Sequence, residues 1–345
     1  MSRWLFSRLL ICILPVLFVS CTLSTKQSEP WRGVHVMMTT QDKTEQLTEV
    51  VGELADVGIN VIIAEINYGY EYQSHPELQS GNPSKKEQIK KLVAECRKHH
   101  IRLIPQFQCL GHQSWRERTF PLLAKYPQFD ETPGQYTNNE GIYCRSWCPL
   151  HPEVNLVIFN LMDELIDTFE ADAFHVGMDE VFLIGHDTCP RCKGKDKAKL
   201  FAKAVNDYYK HLVKKHKLEM FMWGDRLIDA GKIDYGKWEA SANDTAGAID
   251  LIPRDIIICD WHYESRDTYE SIPMFLEKGF RVWPAGWRKL EATKALVDYS
   301  RSLNNSKMLG HLNTTWGTVS IKKMSTFEPI LYATNSFRWK PGKKP

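Results

Sequence analysis

Short apolar runs alternate along this chain with longer stretches whose apolar positions recur at helical spacing. The runs predict strands at Gly33 to Met38, Asn60 to Ile66, Arg102 to Phe107, Ala173 to Met178, Leu218 to Trp223, Ile256 to Trp261, Phe280 to Trp283 and Met308 to Thr314. Between them the spacing predicts helices at Thr44 to Val57, Lys86 to His99, Pro152 to Glu170, Asp196 to Lys215 and Phe327 to Phe337. Lys86 to His99 ends in basic residues, as the helix dipole favours, and Asp196 is placed to cap its helix. Eight strands alternating with helices over residues 31–345 predict a single-domain α/β fold, a (β/α)8 TIM barrel. Its largest insertion, Gln108 to Cys148, follows the third strand. A doubly wound sheet is the alternative, but no GxGxxG follows the first strand. No repeat of solenoid length is present.

The start of the chain has a different pattern. Arg3 and Arg8 precede an apolar run from Leu9 to Ser20, too short to span a bilayer and suited to a signal peptide. The run ends in Phe18-Val19-Ser20-Cys21, which resembles the lipobox of bacterial lipoproteins, with Phe18 where Leu is usual. The expected organisation is a signal peptide over residues 1–20, a lipidated Cys21, a polar tether over 21–30 and the barrel thereafter. The protein is expected to be exported and held to a membrane by lipid alone, at the periplasm, outer membrane or cell surface.

Charge narrows the function. The 44 basic and 42 acidic residues leave a formal +2, without the basic excess a nucleic-acid binder needs. The 11 Trp and 13 Tyr exceed what a core requires, and indole faces suit sugar rings. Of 9 Cys, Cys144 and Cys148 lie close in sequence, as do Cys189 and Cys192. In an exported protein these predict one or two disulfides, with structural zinc as the alternative. The odd count left for the mature chain implies at least one free thiol, expected to be buried Cys109 or Cys259 inside an apolar strand.

Barrel enzymes place their chemistry where strands end. The polar and aromatic residues at those ends are Glu65 and Asn67, then Gln106, Gln108 and His112, then Asp179-Glu180, Trp223 and Asp225, Trp261 and Tyr263, Trp283 and Trp287, Trp316, and Glu328. Three Asp-Glu dipeptides occur. Asp130-Glu131 in a polar loop and Asp163-Glu164 inside an amphipathic helix read as solvated charges. Only Asp179-Glu180 follows an apolar strand.

That strand, His175-Val176-Gly177-Met178-Asp179-Glu180, resembles the His-x-Gly-x-Asp-Glu motif of glycoside hydrolase family 20, the β-N-acetylhexosaminidases. Arg32-Gly33, the Ile104 to His112 segment ending in Gly-His, Met222-Trp223-Gly224-Asp225 and Trp316-Gly317 resemble the family's other signatures in the same order. Asn67-Tyr68-Gly69 and Gln106/Gln108 stand where many members carry acids. With Glu65, Trp261/Tyr263 and Glu328-Pro329, they make the chain more similar to the hexosaminidase D branch.

The resemblance implies an exo-acting enzyme that removes terminal β-linked GlcNAc or GalNAc from N-acetylhexosamine-containing glycans. The implied mechanism is substrate-assisted and retaining, with no metal or other cofactor. It assigns Glu180 as general acid/base and Asp179 as the carboxylate that orients the acetamide. Tyr263 is assigned as a donor to the acetamide oxygen, Trp223, Trp261 and Trp316 as walls, and Arg32, Glu65, His112, Asp225 and Glu328 as further substrate contacts. A general acid must hold a proton near neutral pH, which burial or adjacent negative charge favours. Plainer readings remain: Arg32 as a barrel-floor salt bridge, His112 as a loop brace, His175 as a buried hydrogen-bonding residue. A sugar-binding lipoprotein on an inactive barrel is the alternative function, and a metal-dependent hydrolase ranks below it.

Overall fold

The computed structural model describes residues 29–338. The expected signal peptide, Cys21 and all but the last two residues of the tether lie outside the described residues, as do residues 339–345. No helix among the described residues is long and apolar enough to cross a membrane.

Eight parallel strands close into a barrel, each hydrogen-bonded to its chain neighbour and the last to the first. They are β1 (Trp31–Met37), β2 (Val61–Glu65), β3 (Arg102–Cys109), β4 (Ala173–Gly177), β5 (Glu219–Trp223), β6 (Ile257–Trp261), β7 (Arg281–Gly286) and β8 (Gly310–Thr314). Every predicted strand is present, with ends moved by a few residues. The runs are nearly continuous in apolar residues because both faces are covered. On β2, Val61 and Ile63 face the barrel interior, whereas Ile62 and Ala64 pack against the helical layer.

The interior is filled by large aromatics, including Phe221, Trp223 and Trp283. Trp283 needs a gap in the opposite strand. A Cβ on Gly33 would lie 2.2 Å from its indole, so the glycine of Arg32-Gly33 is a packing requirement.

The helices follow the predicted spans closely: Gln41–Asp56, Lys86–Lys98, Val154–Phe169, Lys197–Tyr209 and Glu328–Phe337. Asp196 does cap its helix, accepting from the Lys199 amide at 3.1 Å. The expected run to Lys215 instead widens into a π turn at Lys210–Lys215. There His211 stacks on Phe159 at 4.1 Å and pairs with Asp163, contacts that compensate for the looser turn. Two helices not assigned from the sequence, Ser271–Glu277 and Leu290–Ser302, flank β7.

The insertion after β3 is folded around one buried cation. Arg145 donates to Asp130, Asn139 and the carbonyls of Gln135 and Tyr136, at 2.5–2.8 Å. This corrects the reading of Asp130-Glu131 as solvated: Asp130 is buried against Arg145, and Glu131 is fully buried. The cysteines are corrected as well. All seven among the described residues are free thiols. Cys144 and Cys148 part company: Cys144 lies against the Glu180 carbonyl at 3.6 Å, while Cys148 joins Cys189 and Cys192.

Replacing Gly33 with Ala should destabilise the fold by about 1–3 kcal/mol through overpacking against Trp283. Urea unfolding of the two proteins measures this, and equal midpoints would show that Trp283 can move aside.

Candidate active site

Adjacent residues of an ordinary strand point to opposite faces. At the end of β4 this alternation is broken, because Gly177, Met178 and Glu180 all have left-handed φ values of 67°, 76° and 48°. For Met178 and Glu180 that backbone is costly and persists only where the surroundings fix it. One restraint is Asp225 after β5, whose Oδ2 accepts from the Glu180 amide at 2.9 Å. Another is Gln108 on β3. Its side chain crosses Gly177 so closely that a Cβ there would lie 2.0 Å from Oε1. The twist lets Asp179 and Glu180 meet the same imidazole.

That imidazole is His112, on the first turn of the insertion. Its Nε2 lies 3.4 Å from Asp179 Oδ2 and 3.1 Å from Glu180 Oε2. Burial is the largest single influence and opposes a charged ring, but the Asp179 charge, Cys144 and the contacts with Asp179 and Glu180 together outweigh it, and the His112 pKa is raised well above the ordinary value. This favours the imidazolium form of His112 beside Asp179 and Glu180. Burial would likewise push Asp179 up. His112 and the Gln108 amide, which donates to Oδ1 at 2.5 Å, instead hold its pKa below the usual range. Burial pushes the Asp225 carboxyl up to about 6, against the pull of Arg226 and with the Asp179 charge adding to it.

A chain of hydrogen bonds extends this anchoring across four strands. The Gln108 amide nitrogen of the backbone donates to Asn67 Oδ1 at 2.7 Å, and Asn67 Nδ2 donates to Glu65 Oε1 at 2.7 Å. Glu65 Oε2 then meets His35 Nε2 at 2.8 Å. On the other side, Trp261 Nε1 donates to Asp225 Oδ1 at 3.2 Å, and the Trp261 ring stacks on Tyr263. Trp316 Nε1 donates to the Tyr263 hydroxyl at 2.7 Å. Burial, with the Asp179 and Glu180 charges adding to it, pushes the Tyr263 phenol well up, so it remains a neutral donor.

A second aromatic group borders the carboxylates. Tyr143 lies edge-on to His112, Trp115, Phe182 and Trp238, and Trp115 and Trp238 are exposed. The site thus offers two carboxylates, a shared cation, an enclosed aromatic wall and an open aromatic face.

The model of the glycosyl hydrolase family 20 catalytic domain matches residues 35–327. The chain belongs to glycosyl hydrolase family 20. It is 29% identical over 108 residues to a beta-hexosaminidase of Akkermansia muciniphila, covering 31% of this chain and 21% of that protein. It is 22% identical over 295 residues to a lacto-N-biosidase of Bifidobacterium bifidum, covering 81% of this chain and 23% of that one. It therefore spans less than a quarter of the length of these curated relatives. Its fold is similar to that of Flavobacterium johnsoniae chitobiase, with a TM-score of 0.68 and 17% identity over 90% of this chain and 48% of that one.

Within this family 20 barrel the predicted site residues divide. Asp179, Glu180, His112, Asp225, Trp261, Tyr263 and Trp316 form one connected group, and Glu65 joins it through Asn67 and Gln108. Trp223 is fully buried, its ring against His35, His175 and Trp316, and so supports the wall from behind.

Two expectations fail. Arg32 lies near the start of β1, and its guanidinium is taken up by Gly58, Pro30 and Glu29 at the N-terminal end of the barrel, away from the mouth. Arg32 alternates with Gly33 and so points outward, because Gly33 faces Trp283 in the interior. Glu328 is exposed at the start of its helix, within the electrostatic reach of Lys294 in the outer layer. His175 is buried, accepting from the Gly177 amide, and burial lowers its pKa well below the ordinary value. The sequence reading left His35, Asn67, Gln108 and Tyr143 out of the site. Gln108 and Asn67 were visible as polar residues at strand ends, whereas nothing local marked Tyr143.

His112, Asp179 and Glu180 also have the spacing of a small cation site. A raised His112 pKa also favours a charged ring at this position. Raising the pH through that pKa should neutralise His112 and leave two unscreened carboxylates. A reaction needing the imidazolium should then lose kcat/KM on the alkaline side, and His112→Gln should lower the plateau and remove that limb. An unchanged alkaline limb in the variant would assign it to another group.

Proposed function

We propose that the chain is an exo-acting β-N-acetylhexosaminidase that cleaves terminal β-linked GlcNAc or GalNAc by a substrate-assisted, retaining mechanism. The supporting observation is the pairing of Asp179 with Glu180 around His112, opposite the Tyr263–Trp316 hydrogen bond. The remaining carboxylates of the site are engaged elsewhere, Asp225 by Arg226, Trp261 and the Glu180 amide, and Glu65 by His35 and Asn67.

In this reading the acetamide carbonyl oxygen of the substrate forms a bond to C1 as the C1–O bond to the leaving group breaks. Glu180 gives its proton to the departing oxygen. Asp179 accepts from the acetamide N–H and stabilises the positive charge that develops on the oxazolinium ring. Tyr263 donates to the acetamide oxygen and aligns it for attack. Trp261 and Trp316 enclose the methyl group and exclude water. Glu180 then takes a proton from water as it attacks C1 from the face the leaving group vacated, and the C1–O bond of the oxazolinium breaks to restore the acetamide, so two inversions retain the β configuration. His112 holds Asp179 ionised for this role, and the open face of Trp115, Tyr143 and Trp238 receives the leaving sugar.

A soluble form from residue 24 onward should hydrolyse 4-nitrophenyl β-GlcNAc, β-GalNAc or both, and chitobiose. Glu180→Gln should lower kcat on chitobiose by about 10²–10⁴-fold, and Asp179→Asn should cost about 10²–10³-fold. A thiazoline mimic of the oxazolinium should inhibit, and NMR should show the β-anomer first. Release of the α-anomer, or indifference to the thiazoline, would falsify substrate assistance. Absence of turnover from folded protein would favour a glycan-binding role.

From the apolar run ending in Phe18-Val19-Ser20-Cys21 we also propose that the chain is held at the cell envelope by a lipid on Cys21. In Triton X-114 partitioning of expressing cells the full chain should enter the detergent phase, and Cys21→Ser should move it to the aqueous phase. Aqueous partitioning of both would remove the anchor.

A further inference from the structure

Away from the carboxylate pair, three thiols and one carboxylate converge where no water reaches them. Cys148 closes the insertion after β3, Cys189 and Cys192 lie on the loop after β4, and Glu131 comes from the middle of the insertion. All four are buried, with exposures of 1%, 1%, 0% and 0% respectively. The Cys148 sulfur lies 3.3 Å from that of Cys192 and 3.5 Å from that of Cys189. One donor atom from each of the four residues lies within 4.8 Å of all the others. Glu131 Oε1 accepts from the His186 amide at 2.9 Å, but Oε2 is buried with no hydrogen-bond partner. A buried carboxylate oxygen left in that state carries a large desolvation cost.

We propose that Cys148, Cys189, Cys192 and Glu131 form a tetrahedral structural zinc site that ties the two loops of the active site together. With Zn–S bonds of about 2.3 Å, sulfurs on a tetrahedron are about 3.8 Å apart, close to the spacing found here. A closed set of four protein ligands dominated by thiolates suits zinc in a structural role. The backbone holds the ligands ready. Glu131 and Cys148 lie on paired segments, with the Glu131 amide bonded to the Ser146 carbonyl and the Cys148 amide to the Phe129 carbonyl. The Cys192 amide donates to the Cys189 sulfur at 3.4 Å, which favours a thiolate there.

A disulfide between any two of the three cysteines would leave a single thiol beside the Glu131 carboxylate, whereas one zinc ion engages all four. Binding releases the three thiol protons to solvent and involves no change of oxidation state. Three thiolates and a carboxylate leave the site at a net negative charge, and Arg191, Lys193 and Lys195 supply opposite charge along the same loop. The ion would join the segment carrying His112 and Tyr143 to the loop that carries Asp179 and Glu180. The proposal stands independently of the glycosidase reading.

The full chain, purified under reduction without chelators, should carry about one zinc per molecule by elemental analysis. Cys189→Ser and Cys192→Ser should each lower this about tenfold, and Cys96→Ser, in a helix remote from the cluster, should leave it unchanged. Cobalt in place of zinc should give the near-ultraviolet thiolate charge-transfer band and the intense visible bands of a tetrahedral ion. If the variants do not fold, the wild type provides the test. Stripping the metal with a mercurial and a chelator should lower the melting temperature, and thiol reduction followed by zinc should restore it. The proposal is overturned if reduced protein incubated with zinc or cobalt holds no metal and shows no charge-transfer band. It is also overturned if unreduced protein has a mass lower by two hydrogen atoms that reduction restores and a Cys148→Ser substitution abolishes.

Discussion

Two carboxylates on consecutive residues can share a half-buried cleft only if their repulsion is offset. His112 supplies that offset from the neighbouring loop, with one nitrogen at ion-pair distance from both. The arrangement is mutual, since the carboxylates raise the histidine pKa and the histidine holds Asp179 ionised against its burial. Much of the surrounding architecture follows from holding these three groups in register. The left-handed backbone at Met178 and Glu180 turns both acids toward the imidazole, and His112 itself sits at a φ of 52°. Strain of this kind survives because neighbours on both sides fix it.

Those neighbours come from most of the barrel. On one side, Gln108, Asn67, Glu65 and His35 pass hydrogen bonds from β4 back to β1. On the other, Asp225 takes the Glu180 amide, the Arg226 guanidinium and the Trp261 indole. These contacts take three of the roughly four hydrogen bonds a carboxylate can accept, which fixes the Asp225 side chain in place. A closed barrel suits this arrangement because its strand ends form a ring, so residues far apart in sequence can brace one small site from all sides.

The long insertion is an active part of this frame. Its fold rests on buried Arg145, which satisfies two side chains and two carbonyls of a segment with little regular structure. That anchoring also carries Glu131 to the three thiols and Tyr143 to the rim of the carboxylate pair. One segment therefore supplies the His112 imidazole beside the carboxylate pair, part of the open aromatic face and half of the proposed metal site.

The order of strands and helices was legible from the sequence because apolar periodicity is local, and parallel strands covered on both faces leave unbroken apolar runs. The Asp179-Glu180 pair was legible as well, since only that dipeptide follows such a run. Other features were decided by tertiary contacts. Arg32 stands next to a required glycine, yet the register of β1 turns it outward. Glu328 follows the last strand, but the helix it opens faces it to solvent. Closeness in sequence suggested pairing Cys144 with Cys148, although their backbone segments carry them to different neighbours. Asp130-Glu131 looked solvated because its sequence surroundings are polar, and it is buried because Arg145 and the cysteine loop close over it. Periodicity reports which face of an element meets the core. Which polar group meets which partner depends on contacts between residues tens of positions apart, such as Gln108 with Asp179, and only the closed barrel brings those together.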